Sequence, residues 1–385
     1  MNTRALAASL LLLGAACDQP WKPVHVIDSL RVIGVRAEPP EVRPGQTASL
    51  EALVLDPTRP GERTTMIWLG CEPDPYAQNR GACSDLTQVG DTQSIANAMQ
   101  LPPGVKILGI GNRAAYSTQS TLFDVLDAGD PVRTKGTVGT ILNIAVGADV
   151  PITASMDELR AVLEKVSTKE IASQVTLFRV RVSEHPSPNV NPVIDDIFVE
   201  GEKLPKGGTL RFLPTLESEL DLTARDFQDF EDLSPTNEPQ MKTESIIVAW
   251  YTTAGRFDYD RTSLKSDVKS SMAAPGDPAT NDPLPDDRRG RLWAVIRDTR
   301  GGQAWADWPW YVCDPVARLP VVRSVERGSN TLTLRGDDLD QILEVVSDNA
   351  VVRGAYSPSS RNWVGDAAPG ALEVRARNCL TVRVP

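Results

Sequence analysis

Apolar and polar residues alternate along much of the chain with the two-residue period of β-strands. Leu50, Ala52 and Val54 share one face just after a Pro-Gly pair at residues 44–45, which predicts a strand that follows a turn. Residues 173–184 alternate over their whole length. The pattern predicts a mainly β protein with many short strands joined by tight turns.

One segment departs from this period and has the signature of a helix. Ser155 and Glu158 have the spacing of a capping box, in which the serine side chain accepts from the backbone and the glutamate reaches back to the cap. Apolar side chains then recur at helical spacing, so this helix is expected to pack on a sheet. These side chains are Leu159, Val162, Leu163 and Val166. Shorter helical pieces are expected at residues 92–99 and 121–126.

The chain repeats one arrangement of strands. Trp68 lies on a strand that follows two others, and Trp250 lies on a strand that follows two more, joined at Gly207 and Gly208. This order resembles the opening strands of immunoglobulin-like (Ig-like) sandwiches. Residues 295–305 (VIRDTRGGQAW) resemble the last hairpin of Ig-like and PKD-like modules on bacterial surface proteins. The resemblance implies tandem Ig-like β-sandwiches.

Turn-forming stretches divide the chain into units. Gly301 and Gly302 are expected to supply the positive-φ turn of the last hairpin, and residues 185–192 (HPSPNVNP) predict a stiff joint. Residues 321–346 resemble the first half of an IPT/TIG domain. The predicted organisation is a signal peptide at 1–16, a lipidated tether at 17–27, an Ig-like domain with an irregular insert at 28–184, the joint at 185–192, a second Ig-like domain at 193–313 and a small IPT/TIG-like domain at 314–385.

The N-terminus has the layout of a secretion signal. A basic start precedes the apolar run 5–13, which is too short to span a bilayer, and small residues lead to Cys17. The stretch LLGAAC resembles the lipobox of bacterial lipoproteins, with Gly14 where that family prefers leucine. The resemblance implies acylation of Cys17 and anchoring in the lipid bilayer of the cell envelope, with the outer membrane favoured over the inner. An ordinary signal peptide with an incidental cysteine is the alternative.

The chain contains five cysteines, whose number indicates where the protein works and which disulfides it can form. If Cys17 is acylated, four remain, an even number outside the cytoplasm, where disulfides persist. Four cysteines allow three pairings. The proximity of Cys71 to Cys83 favours a local bridge, which leaves Cys313 and Cys379 for each other. A zinc site is the rival interpretation, but it lacks CxxC spacing and nearby histidines, so neither a metal nor a cofactor is predicted.

The charge distribution narrows the classes of partner. A net charge of −11 argues against nucleic-acid binding, which needs basic patches. Residues 195–238 contain twelve Asp or Glu and four Lys or Arg. Such acidic loops can hold Ca²⁺ outside the cell. Because no DxDxDG order occurs, a solvated acidic surface is the favoured interpretation.

The sequence carries no evident catalytic signature. His25 in the tether and His185 in the joint are expected to be solvated, and neither an HExxH nor a GxSxG motif occurs. Residues 109–114 match GxGxxA, but a dinucleotide site needs a βαβ unit, so the match is interpreted as a turn. The chain is therefore predicted not to be an enzyme. The alternative is an accessory hydrolase or carbohydrate-active protein that uses carboxylates in the 86–135 insert.

Aromatic residues cluster on one predicted strand and are the candidate binding residues. On this strand Trp308 and Trp310 share one face while Tyr311 takes the other, and Trp305 lies close by. Exposed rings could stack on sugars or on a protein partner, but burial in the sandwich core against Trp250 and Trp293 is the favoured interpretation. The expected function is a membrane-anchored envelope lipoprotein that acts as a non-enzymatic binding or assembly module for protein partners or glycans.

Overall fold

The computed structural model describes residues 23–76, 104–233, 238–264, 266–276 and 282–384. Within these ranges the strands form three pairs of sheets and one separate hairpin. Each pair of sheets packs face to face around its own apolar core, which makes it a β-sandwich. The prediction of a mainly β chain of tandem sandwiches is confirmed.

The first sandwich contains eight strands and two helices. The strands are β1 Arg31–Glu38, β2 Glu41–Val42, β3 Thr47–Leu55, β4 Thr65–Cys71, β5 Val105–Ile110, β6 Arg113–Ser117, β7 Thr137–Val146 and β8 Ser173–Val182, and the helices are α1 Pro131–Lys135 and α2 Met156–Ser167. One sheet has the order β1-β3-β6 and the other β2-β8-β7-β4-β5. The short strand β2 is parallel to β8.

The two sheets enclose a core of large apolar side chains. Leu50, Trp68 and Val180 are fully buried between them. A register shift between Val32 and Gly34 marks a β-bulge in β1. Val32 packs on this core and Ile33 faces the second sandwich, and the bulge shifts the alternation by one residue so that Val35 returns to the core.

Helix α2 covers the outer face of the five-stranded sheet. The capping box at its start is present, with Ser155 accepting from the backbone of Glu158 and the Glu158 carboxylate accepting from the backbone of Ser155. Leu159, Leu163 and Val166 are buried against the sheet. Because both of its faces are covered, strand β7 is buried along nearly its whole length. The predicted helix is confirmed.

The irregular insert predicted at 86–135 is more ordered than expected over its described part. Strands β5 and β6 extend the two sheets of the first sandwich, joined at Gly111, whose φ of 107° lets the chain cross from one sheet to the other. The predicted helix at 121–126 is wrong, because these residues form successive hydrogen-bonded turns. The predicted helix at 92–99 lies outside the described residues.

The second sandwich contains twelve strands. They are β9 Val193–Val199, β10 Glu202–Lys203, β11 Leu210–Phe212, β12 Glu217–Arg225, β13 Asp229–Leu233, β14 Pro239–Thr243, β15 Ile246–Thr252, β16 Arg256–Phe257, β17 Arg261–Ser263, β18 Ser270–Ala273, β19 Arg289–Asp298 and β20 Gln303–Val312. Its sheets have the orders β10-β9-β12-β18-β16 and β11-β20-β19-β15-β17, and β13 and β14 form the separate hairpin.

The first and second sandwiches repeat the same strand order. In one five-stranded sheet of each sandwich a short strand, β2 or β11, runs parallel to the last long strand of that sandwich, β8 or β20. One antiparallel neighbour, β7 or β19, follows that long strand, and the strand that bears Trp68 or Trp250 comes next, also antiparallel. Both tryptophans are buried in their cores. The internal repeat indicated by the two tryptophans is therefore present in the topology.

The hairpin of β19 and β20 is confirmed where the resemblance implied it. Arg297 pairs with Gln303 at its end, and Gly301 has a positive φ of 102°. Gly302 is required for a different reason from the one expected. A Cβ atom on Gly302 would lie 2.1 Å from Oδ2 of Asp298, so only glycine fits.

The third sandwich consists of eight short strands. They are β21 Val321–Arg327, β22 Thr331–Asp337, β23 Ile342–Ser347, β24 Ala350–Val352, β25 Gly354–Ser357, β26 Asn362–Asp366, β27 Leu372–Ala376 and β28 Thr381–Val384. The sheets have the orders β21-β22-β26-β25 and β24-β23-β27-β28. The predicted disulfide between Cys313 and Cys379 is present and ties the end of β20 to the turn before β28.

The segment predicted as a free tether is docked where the structure describes it. Val26 forms a parallel bridge with Thr252, and Ile27 is buried in the contact between the first and second sandwiches. The tether prediction is therefore wrong for residues 23–27, because apolar and backbone groups of this segment find partners on the second sandwich. Among the described residues, no helix is long and apolar enough to cross a bilayer.

Candidate functional site

The first and second sandwiches meet at a buried ionic cluster centred on Arg300. Arg300 lies in the turn between β19 and β20, and its Nη2 donates to Oε2 of Glu41 over 2.6 Å. Its Nη1 lies 3.5 Å from Oε1 of Glu244. All three side chains are almost inaccessible to solvent. Charges can be buried in this way only when each has a partner of opposite sign.

The proline-rich joint is part of this cluster. The backbone N–H of Asn189 donates to Oε2 of Glu41 over 2.7 Å, and its side-chain amide donates to Asp298 over 3.1 Å. The hydroxyl of Ser183 donates to the other oxygen of Glu41. Residues 185–192 therefore connect the two sandwiches through hydrogen bonds as well as through the chain.

Two carboxyl groups of the cluster are easier to protonate than usual. Burial is the largest cause that raises the pKa of Glu244, and the neighbouring Asp298 carboxylate raises it further, against the opposing effects of the backbone of Gln228 and of Arg300. Burial likewise raises the pKa of Asp298, although the backbone N–H groups of Arg300 and Gly302 donate to it. The cluster thus combines one guanidinium with more than one buried carboxyl group.

A groove of about 1270 Å³ lies beside this cluster and is the largest candidate binding surface that we describe. One wall belongs to the first sandwich and the joint, and the other is formed by the β13–β14 hairpin. The lining includes Lys135, Arg181, His185, Asp229, Phe230, Glu231, Asp232, Met241, Lys242 and Arg300. The groove exceeds the usual range of small-molecule pockets, so a larger ligand fits it better.

The two walls of the groove differ in charge. Lys135 and Arg181 lie on the first-sandwich wall, and Asp229 and Glu231 lie on the hairpin wall. At its inner end the guanidinium of Arg300 stacks over the ring of Phe230, with 5.2 Å between the guanidinium carbon and the ring centre. The groove therefore presents positive charges on one wall and negative charges on the other. Its inner end is formed by the buried Arg300 cluster.

The first two candidate aromatic residues pack in the core of the second sandwich, which is the interpretation favoured from the sequence. Trp310 is fully buried, and its indole N–H donates to the Thr252 hydroxyl over 3.1 Å. Trp308 shares its face, as the strand alternation predicted, and packs half-buried on the same core. Apolar contacts inside the sandwich account for both rings.

The other two candidate aromatic residues are packed in different surroundings. Trp305 packs against the cluster that joins the first and second sandwiches, and the Arg36 guanidinium lies 4.6 Å from its ring centre. Tyr311 is buried, and burial raises the pKa of its hydroxyl. Arg289 lies over its ring at 5.9 Å. Trp305 therefore supports the contact between the first and second sandwiches, whereas Tyr311 is packed within the second sandwich beside Arg289 of its own sheet.

The prediction of a solvated histidine is wrong for His25, whereas His185 is partly exposed. His25 is only 6% exposed and contacts the ring of Phe257 edge-on at 5.1 Å. His185 is half-buried at the groove, where its Nδ1 lies 3.1 Å from the backbone nitrogen of Ser187, which donates to it. Both histidines lie in segments that looked like linkers in the sequence but are packed against folded units.

Several carboxylates of the acidic stretch at 195–238 form ion pairs on the surface. Examples are the pairs of Asp195 with Arg225 at 2.8 Å and of Asp196 with Lys203 at 2.7 Å. Within the described ranges, no three His, Cys, Asp or Glu side chains are grouped so that they could hold a metal ion. These contacts favour the interpretation of this stretch as an acidic surface over a Ca²⁺ site.

Three remaining candidates have structural positions or lie outside the described residues. The GxGxxA match at 109–114 is the turn between β5 and β6, as interpreted. In the insert, Asp130 caps α1 by accepting from the backbone of Val132, so this carboxylate has a structural role. Cys71 is disulfide-bonded, whereas Cys83 and Cys17 lie outside the described residues.

A second polar junction links the second and third sandwiches. The backbone of Thr209 donates to Glu344 over 3.0 Å, and the other oxygen of Glu344 accepts from Arg375 over 2.8 Å. Arg211 donates to the carbonyl of Cys379 over 3.0 Å, beside the disulfide. A covalent bond and a buried ion pair therefore act together at this contact.

The residues that form both junctions were not predicted from the sequence. Glu41, Glu244 and Glu344 are separated by long stretches of sequence from the arginines that they contact. One signal was available: Glu41 immediately precedes the buried Val42 in a short strand, a position where an isolated charge needs a partner. The identity of that partner depends on how the sandwiches dock.

Comparisons with known proteins add little beyond the fold. No protein-family model and no curated protein matches the chain. Among solved structures, it is similar to chicken CNTN1 FN1–FN3 domains (10% identity, 93% of this chain and 97% of that chain, TM-score 0.19) and to extracellular domains 3–5 of Drosophila OTK (11%, 95% and 97%, TM-score 0.16).

A third similar structure is the Bacteroides ovatus mixed-linkage glucan utilization locus protein SGBP-B in complex with a heptasaccharide. It shares 13% identity over 49% of this chain, with a TM-score of 0.16, and the match spans less than half of its own length, 46%. Similarities this remote carry no argument about function. The strand orders and cores described above define the class, which is tandem Ig-like β-sandwiches.

Proposed function

We propose that this chain is a non-enzymatic binding or assembly module of the bacterial cell envelope, and that the groove between its first and second sandwiches receives a protein partner. The observation that carries the proposal is the position of the groove beside the buried Arg300 cluster. Because the cluster joins the sandwiches, the walls of the groove are preorganised, which lowers the entropic cost of binding.

The chemistry of the walls favours a protein over a glycan. Sugar rings commonly stack on exposed aromatic faces, but the groove's ring Phe230 is covered by Arg300 and the candidate Trp310 is buried. A polypeptide can complement both signs of charge, which Lys135 and Asp229 present on opposite walls. A glycan therefore remains the second candidate ligand.

Anchoring is proposed to occur through acylated Cys17. The signal peptide at 1–16 would be removed, and two or three acyl chains would attach the remaining chain stably, since each buried methylene contributes about 0.8 kcal/mol. We place the protein in the outer membrane in preference to the inner membrane. We also propose that the unit at 314–385 is of the IPT/TIG type and that residues 28–184 and 193–313 are the two Ig-like domains.

A charge-exchange variant tests the groove. Lys135→Glu combined with Asp229→Lys reverses one exposed charge on each wall and keeps the net charge, and we expect it to lose the envelope protein captured by the lipidated wild type. The matched control exchanges an exposed pair in the third sandwich, Arg323→Glu with Asp337→Lys, and is expected to retain capture. Equal capture by both variants would exclude the groove as the contact. Binding of purified envelope polysaccharide without protein capture would favour the glycan alternative.

A further inference from the structure

The first described residues of the chain are held on the second sandwich by backbone hydrogen bonds. The N–H of Ile27 donates to the carbonyl of Thr252 over 2.8 Å, and the N–H of Thr252 donates to the carbonyl of His25 over 2.9 Å. Reciprocal bonds of this kind are those of paired strands. Residues 23–27 therefore continue the second sandwich beside the end of β15, although the first sandwich follows them in the chain.

Side chains reinforce this docking. The ring of His25 is buried against Phe257, and its Nδ1 lies 3.8 Å from Oδ2 of Asp260. Ile27 is 2% exposed and belongs to the same apolar cluster as Trp293. We name residues 23–27 the mount, since backbone, apolar and polar contacts all fix them to one place on the second sandwich.

The covalent chain limits how far the mount can lie from Cys17. Pro23 is six positions after Cys17, and a fully extended chain spans at most about 3.5 Å per residue, so the limit is about 20 Å. If the whole predicted tether were free, the first sandwich could lie about 36 Å from the same anchor by this measure. The mount therefore shortens and directs the attachment.

We propose that the mount holds the β16–β17 end of the second sandwich against the lipid surface, within about 20 Å of the acylated Cys17. This inference rests on the proposed acylation of Cys17. It assigns an orientation to the protein, because one particular end of the second sandwich then faces the bilayer and the rest of the chain projects from it.

The surface around the mount suits a bilayer interface. Val24 is 64% exposed and Tyr259 is 53% exposed, and tyrosine is enriched where membranes meet water. Arg256 and Arg261 are also exposed there and carry charge opposite to that of lipid phosphates. Asp258 is held by the backbone N–H groups of Tyr259 and of the facing strand β18.

The test uses the full acylated protein in vesicles of phosphatidylethanolamine and phosphatidylglycerol that contain a headgroup-attached quencher. A fluorophore is attached through Tyr259→Cys near the mount, and the control label is attached through Ser359→Cys in an exposed turn of the third sandwich. We expect strong quenching at position 259 and none at 359. Equal quenching at both positions, in protein that floats with the vesicles, would overturn the mount while leaving the anchor intact.

A second variant separates the mount from the anchor. Ile27→Asp places a charge in the buried cluster and is expected to release the mount, so quenching at 259 should be lost while flotation with vesicles persists. Val316→Asp, at an exposed valine, is the matched control and should leave quenching unchanged. Quenching that survives Ile27→Asp would overturn the proposed role of the mount. Flotation that survives Cys17→Ser would instead overturn acylation of Cys17, and the mount with it.

Discussion

Arg300 and Glu41 are 259 positions apart in the chain, yet their side chains form a hydrogen-bonded ion pair of 2.6 Å inside the contact between two sandwiches. Glu41 lies on the edge strand of the first sandwich and Arg300 in a hairpin turn of the second. The pair therefore depends on the relative position of the sandwiches, and it stabilises that position in return.

Removing the arginine should strongly destabilise the protein. In Arg300→Met, the carboxylates of Glu41 and Glu244 stay buried without their common partner, and breaking a buried ion pair in this way costs about 3–5 kcal/mol. Urea unfolding, followed by tryptophan fluorescence, measures the change in the free energy of unfolding.

The matched control for this prediction is an exposed ion pair of the second sandwich. Arg225→Met removes the partner of Asp195, where both side chains are accessible to solvent, and exposed pairs contribute about 1 kcal/mol or less. Similar losses in Arg300→Met and Arg225→Met would contradict the assigned role of the buried cluster.

The buried carboxyl groups predict an unusual pH dependence. Burial raises the pKa of Glu244 above its ordinary value of 4.5, so the folded protein binds this proton more tightly than the unfolded chain does. This contribution to stability is complete below pH 4.5 and is lost as the pH rises through the folded pKa. Glu244→Gln removes it.

Comparison of the free energies of unfolding of wild type and Glu244→Gln across this range measures the effect. The free energy of unfolding of the wild type minus that of Glu244→Gln should decrease as the pH rises from about 4.5 toward neutrality. The difference isolates Glu244 from carboxylates whose pKa is lowered in the fold, such as Glu51 beside Arg36. A difference that is constant with pH would contradict the raised pKa.

Local periodicity accounts for the parts of the fold that could be predicted from the sequence. Strand β8 alternates as expected, with Phe178 and Val180 in the core, and the capping box at Ser155 begins α2. These features depend on neighbours within a few residues. The disulfide of Cys313 and Cys379 could also be anticipated, because few pairings were possible.

The features that escaped prediction depend on contacts between distant segments. His25 resembled a linker residue, yet it is buried because Phe257 and Asp260 approach it from another part of the chain. The groove could not be predicted from local sequence for the same reason, because its walls belong to two sandwiches. Periodicity also cannot distinguish an exposed aromatic strand face from one that is covered, which is why Trp310 was a binding candidate.

Loss of the disulfide should destabilise the contact between the second and third sandwiches. Cys313 and Cys379 are 66 positions apart, and closing a loop of this size stabilises a fold by about 4 kcal/mol on the chain-entropy estimate. We expect the double variant Cys313→Ser and Cys379→Ser to lose stability of this order in urea unfolding.

The double variant loses only the Cys313–Cys379 disulfide and keeps the disulfide of Cys71, whereas a reducing agent would break both. Wild type under oxidising conditions is the reference. An unchanged midpoint in the variant would mean that the hydrogen bonds from Thr209 to Glu344 and from Arg211 to the carbonyl of residue 379 hold this contact without the covalent bond.

Docking of the mount should weaken in acid because of His25. Burial lowers the pKa of His25, and Arg31 lowers it further, whereas the carboxylates of Asp260 and Asp282 oppose this. The free chain therefore binds the proton more readily than the docked one. The contribution of His25 to the stability of docking is complete above the ordinary pKa of 6.5 and is lost as the pH falls below it.

Amide hydrogen exchange at the N–H groups of Ile27 and Thr252 reports this docking directly. After correction for intrinsic rates, their protection should fall between about pH 7.5 and about pH 5.5, whereas His25→Phe should show no such change. Protection that is constant with pH in the wild type would show that His25 stays neutral or finds compensation from Asp260 when protonated.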